Sequence, residues 1–81
     1  MRMVILLNKL ILEYPTFDEL KEELSKGYPE EIEITFKSKE DNAREFEIIF
    51  YLVNVVDYYF EKLKPLDDSR TIFIGYFKRK S

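Results

Sequence analysis

Carboxylates, and one run of aromatics beside cations, are the groups in this sequence with chemistry to offer. Asp67-Asp68 with nearby Glu61 supplies hard oxygen ligands of the kind a divalent cation takes. A two-acid turn beside a helix end is equally well explained as solvated surface, so no metal site is assigned there. Asn54 and Asp57 lie within an apolar stretch, but on a helical reading both fall on its polar stripe, where solvent accounts for them. Ile74-Gly75-Tyr76-Phe77-Lys78-Arg79-Lys80 places aromatics next to cations, as a strand that stacks bases and contacts phosphates does. Tyr76, Lys78, Arg79 and Lys80 are therefore the candidate nucleic-acid contacts, although an edge strand guarded by cations against aggregation uses the same residues. The chain has neither His nor Cys. It thus lacks the commonest general base, the commonest metal ligand and the strongest nucleophile. No catalytic residue is assigned, the protein is read as not an enzyme, and neither a cofactor nor a metal is expected.

Composition limits what can hold such groups. The 81 residues are read as a single domain, 1–81, because so short a chain cannot divide into two cores. An apolar content of 46%, with seven Phe and six Tyr, argues against disorder, since burial on that scale is what offsets backbone ordering. Without Cys, extra stability must come from dense aromatic packing or from a partner subunit. There is no apolar run of membrane-spanning length, and Met1 to Leu12 is interrupted by Asn8 and Lys9 without a small-residue cleavage site. A cytoplasmic protein with no membrane partner is expected. The 36% of charged residues, rich in Lys and Glu, matches the balance of proteins from heat-loving organisms. Charge is uneven: residues 1–68 carry nine Lys/Arg against sixteen Asp/Glu, a net of −7, whereas residues 69–81 carry a net of +4. An acidic body binds nucleic acid poorly, which leaves only the tail to do so.

The elements that position these residues follow from periodicity and caps. Val4-Ile5-Leu6-Leu7 is a β-prone run without helical start signals and reads as a buried strand. Asn8-Lys9 then Leu10-Ile11-Leu12 is compatible with a bent strand, a tight hairpin or a helical turn, and is read as an extended strand with a break near Asn8. Thr16-Phe17-Asp18-Glu19 fits a capping box, Phe17, Leu20 and Leu24 share one helical face, and Gly27 is placed to end that helix. Glu31 to Lys37 alternates strictly, with Ile32, Ile34 and Phe36 on one side of a strand. Ser38 to Asp41 offers a second cap, from which a long helix over roughly 39–64 is expected to run until Pro65. Its apolar residues cover about half the circumference, wider than the stripe of about 100° that one small sheet face needs covered. Asp67 to Arg70 is a turn and Thr71 to Phe77 a final strand, in which Gly75 marks a bulge or a close approach. The expected fold is α+β: a small three- to four-stranded sheet with two helices, in the order β-α-β-α-β.

Two resemblances accompany this reading. The aromatic and basic residues from Ile74 to Lys80 are similar to part of the RNA-recognition-motif signature, but Val4 to Asn8 has no aromatic at the stacking position and one strand is missing. Val4-Ile5-Leu6-Leu7-Asn8-Lys9-Leu10-Ile11, with the capped helix at Thr16 to Lys26, resembles the opening of the small viral ring nucleases that act as type III anti-CRISPR proteins in archaea. That resemblance implies a mixed sheet with flanking helices and a dimer. The family degrades a cyclic oligoadenylate messenger through an active-site histidine, which has no counterpart in a chain without His. What it implies here is a scaffold or a viral setting, not the activity.

The expected function is that of a non-enzymatic protein-interaction module from a heat-loving archaeon or its virus, an anti-CRISPR-like inhibitor of a host defence factor. It is expected to act as a homodimer through the long helix, with Phe46, Ile49, Phe50, Val53, Val56 and Phe60 at the dimer or partner interface. The alternative is a small module binding RNA or single-stranded DNA through the C-terminal strand.

Overall fold

A computed structural model of the chain describes residues 2–6, 8–37, 42–66, 68 and 71–80. The chain opens with two strands, β1 (Arg2–Leu6) and β2 (Lys9–Glu13), which pair antiparallel with Leu6 opposite Lys9. Asn8, at φ 63°, makes the reversal, a conformation that Asn tolerates better than most residues. This corrects the expectation of one extended strand broken near Asn8, and that of a buried first strand, because β1 ends up at the sheet edge with Met3, Val4 and Ile5 exposed. Folded back, the two apolar runs meet face to face, Ile5 opposite Leu10 and Met3 opposite Leu12.

Helix α1 (Phe17–Leu24) starts at a complete capping box. The Thr16 hydroxyl accepts from the Glu19 N–H at 3.1 Å, and the Glu19 carboxylate accepts from the Thr16 N–H at 2.7 Å. Leu20 and Leu24 are buried, and Gly27 leaves the helix at φ 145°. Strand β3 (Glu31–Lys37) returns parallel to β2, burying Ile32, Ile34 and Phe36.

The largest departure from expectation follows. Helix α2 (Asn42–Phe50) is short, and its expected cap at Ser38–Asp41 lies outside the described residues. It widens into a π-helical turn over Tyr51–Val55, closed by Val56 N–H donating to Tyr51 O at 3.0 Å. Asp57 then sits at φ 65°, and residues 58–65 form a strand, β4 (Tyr58–Pro65), where helix was expected. The reason is local and tertiary together. Val53, Val55 and Val56 are β-branched and weaken the helix, Tyr58-Tyr59-Phe60 favours a strand, and β4 gains a full ladder with β5 (Ile72–Arg79). The wide apolar arc came from wrapping both segments on one helical wheel, although the second is a strand.

The fold is thus mixed α+β with five strands and two helices, in the order β-β-α-β-α-β-β, not three to four strands in the order β-α-β-α-β. The sheet order is β1-β2-β3-β5-β4, antiparallel except for β2 beside β3. Leu20 and Leu24 of α1, Ile48 of α2 and Leu52 of the π-turn join Leu10, Leu12, Ile32, Ile34, Phe36, Tyr58 and Phe77 in one buried cluster. Both helices therefore cover the same face of the sheet, and among the described residues the other face carries none. Gly75, on the covered face, is where the Phe36 and Phe77 rings close in: a Cβ there would lie 3.1 Å from each. The bulge is not at Gly75 but on β4, between Phe60 and Lys62.

Candidate interaction surfaces

The outer side of α2 is the most apolar exposed surface among the described residues. Phe46 and Phe50, one helical turn apart, are 76% and 64% exposed, and Val55 at the end of the π-turn is 62% exposed. The wider π-turn carries Tyr51 beside them, where it meets Phe17 of α1 edge-to-face at 5.0 Å between ring centres. Phe17, Phe46, Phe50, Tyr51 and Val55, with Glu47 at the rim, line a cleft of about 520 Å³. Lys21, outside the cleft lining, stands over the Phe17 ring at 5.3 Å. With aromatic side chains burying about 150–250 Å² each, these exposures amount to a patch of roughly 350–400 Å², large for a chain this size.

The structure divides the six residues expected at the interface. Phe46 and Phe50 lie on this patch; Ile49 and Val56 are half-buried and pack against the core, and Val53 is half-buried. Phe60 is on β4, stacked on Phe77 at 5.1 Å. Val55, Phe17 and Tyr51 were not among the expected contacts. The signal for Phe17 was present in the sequence, since the first residue after a capping threonine packs beside its neighbours, but its pairing with Tyr51 depends on how α1 and α2 cross.

The helix-free face of the sheet is the second surface. Register places Tyr76 between Glu33 and Lys62, Ile74 between Thr35 and Lys64, and Lys78 between Glu31 and Tyr59. Lys62, Lys64 and Lys78 are exposed, and the Lys62 ammonium lies 4.8 Å from the centre of the Tyr76 ring. Glu33 is held by Lys9 at 2.6 Å, a bond that raises the Lys9 pKa above its ordinary value against the opposing effect of burial. The residues expected to contact nucleic acid are divided here too. Tyr76 and Lys78 share this face, whereas Arg79 donates to the Tyr28 carbonyl and Lys80 lies 3.8 Å from the Asp57 carboxylate and over the Tyr59 ring. Lys62 and Lys64 were missed because a helix was expected there; their spacing of two after Tyr58-Tyr59-Phe60 was the available sign.

Between the surfaces stands Tyr58, fully buried, its hydroxyl donating to Pro29 O at 2.5 Å. Burial pushes its pKa up to about 12, with the Arg79 cation working the other way. Among the described residues no group of three carboxylates could hold a metal ion; Asp67, one of the pair considered, lies outside them, and Asp68 is exposed. No described helix is long and apolar enough to cross a membrane. No protein-family model matches the chain, and no significant match is found among curated proteins or solved structures.

Proposed function

We propose that this protein is a non-enzymatic interaction module that works as a homodimer, and that the aromatic side of α2 is the contact between copies. The observation that carries this is the exposure of Phe46, Phe50 and Val55 around one apolar cleft. Glu47 lines the cleft and Lys21 lies over the ring of Phe17, one of its lining residues, so a two-fold arrangement can set each charge against its opposite on the copy. Covering the patch on both copies removes about 700–800 Å² of apolar surface, less than the roughly 1,200 Å² in total at which specific interfaces begin, so the contact is weak and forms only as concentration rises. The resemblance of the opening residues to the viral ring nucleases, carried without a catalytic residue, supplies the setting: a viral protein in the host cytoplasm that inhibits a host defence factor by contact.

Sedimentation equilibrium from about 5 to 500 µM tests the contact, a range spanning weak and standard interfaces. The double variant Phe46→Ser/Phe50→Ser is expected to keep its melting temperature and to weaken self-association at least tenfold. An association constant that the substitutions leave unchanged removes α2 as the contact.

A second reading is favoured by one observation: Tyr76, Lys62, Lys64 and Lys78 share the helix-free face of β4 and β5. Binding of single-stranded RNA or DNA along that strip would be salt-sensitive and would weaken in Lys62→Glu/Lys64→Glu. Fluorescence anisotropy with a labelled 12-mer at low salt decides it, and no change in signal ends this reading.

A further inference from the structure

The two edges of the sheet are built differently. β4, at one edge, has the devices that keep an edge from pairing: a bulge between Phe60 and Lys62, the charges Glu61, Lys62 and Lys64, and Pro65 at its end. β1, at the other, has none of them over Met3-Val4-Ile5. It keeps regular one-to-one pairing with β2, and its side chains stay in water, Ile5 being 65% exposed and Met3 and Val4 each 38%. In an antiparallel edge strand every second residue turns both its N–H and its C=O outward, so β1 presents a row of unpaired backbone groups flanked by apolar side chains.

We infer that β1 pairs antiparallel with β1 of a second copy, joining two five-stranded sheets into one. A two-fold axis through Val4 sets Met3 opposite Ile5 of the copy, two apolar residues that both lie on the helix-covered face, and brings Val4 against its own image on the other face. Charge permits the approach. The groove of about 290 Å³ beside Ile5 contains Glu23 and Lys26, which are joined to each other at 3.0 Å, and Lys9, which is joined to Glu33 at 2.6 Å. A copy arriving there meets ions already neutralised within the protomer. A five-residue edge buries less than the roughly 800 Å² per partner of a standard interface, so the contact forms with concentration rather than permanently.

This contact lies at the β1 edge of the sheet, not on the outer side of α2, and does not rest on the α2 reading. Two separate self-complementary surfaces on one chain carry assembly past a dimer.

The test uses the absence of cysteine. In the single variant Val4→Cys, two-fold pairing places the two sulfur-bearing residues about 4.5–5.5 Å apart at Cα, inside the range a disulfide spans. Under copper phenanthroline it is expected to give a covalent dimer within minutes, whereas Ile11→Cys, one strand inward, stays monomeric on a denaturing gel. In sedimentation, Val4→Lys is expected to lower the limiting mass, to that of a dimer where α2 also joins copies, while keeping the circular dichroism of the wild type. Cross-linking of Val4→Cys no faster than of Ile11→Cys, or an unchanged mass for Val4→Lys, overturns the β1 contact. Loss of mass in Phe46→Ser/Phe50→Ser alone would support α2 without β1, and loss in Val4→Lys alone the reverse.

Discussion

Replacing Tyr58 by Phe removes one hydroxyl at the point where the helical segment gives way to strand. That hydroxyl donates to the Pro29 carbonyl, and the side chain is fully buried, so the substitution leaves an acceptor without its donor in the core. The expected cost at pH 7 is about 1–2 kcal/mol. The same group makes stability depend on alkaline pH. Its folded pKa is about 12 against an ordinary 10.0, so the folded state holds the proton more tightly. The stability this contributes is full below pH 10 and is lost as pH rises through 12. A shift of two units corresponds to at most about 2.7 kcal/mol, of which about 1.4 has gone at pH 11. The gap between wild type and Tyr58→Phe should therefore close near pH 11. Urea unfolding of both proteins, followed by circular dichroism at pH 7, 9, 10 and 11, measures it. A gap that stays constant to pH 11, or a Phe variant more stable at pH 7, would refute both the burial of the hydroxyl and its hydrogen bond.

Gly75→Ala should destabilise by about 1–3 kcal/mol in the same assay, because the added methyl meets two core rings at 3.1 Å and Phe77 is itself held by stacking on Phe60. Thr16→Ala should cost about 1 kcal/mol by removing one half of the capping box, and Thr16→Ser should restore it.

Several parts of the fold were legible from short stretches of sequence. The helix from Phe17 is announced by Thr16 and Glu19 because both capping bonds are made within four residues. The strand from Glu31 to Lys37 is announced by an alternation that buries Ile32, Ile34 and Phe36 on one face. Phe46 and Phe50 were legible as apolar residues of the α2 segment, but their exposure was not, because the arc that suggested it wrapped the strand Tyr58–Pro65 onto a helical wheel. Asn8 and Asp57 carried weaker signals: each takes a positive φ and reverses or ends an element, whereas Asn8 was read as a break in one strand and Asp57 as part of a helix's polar stripe.

What only the tertiary structure decided is the fate of residues 51–65. A helix there could satisfy its own backbone, whereas a strand at Tyr58 to Pro65 needs β5 beside it, and no local pattern reports a partner that begins seven residues after the strand has ended. Pairing with β5 also draws Tyr58 under the 28–30 segment, moves Phe60 from the interface to the Phe77 ring, and lines Lys62 and Lys64 up with Tyr76 and Ile74. The sequence by itself determined that an acidic chain without His or Cys carries more apolar surface than one small core hides. Where that surface lies, on α2 and along the β1 edge, was decided by long-range strand pairing, because pairing alone chooses which face each side chain takes.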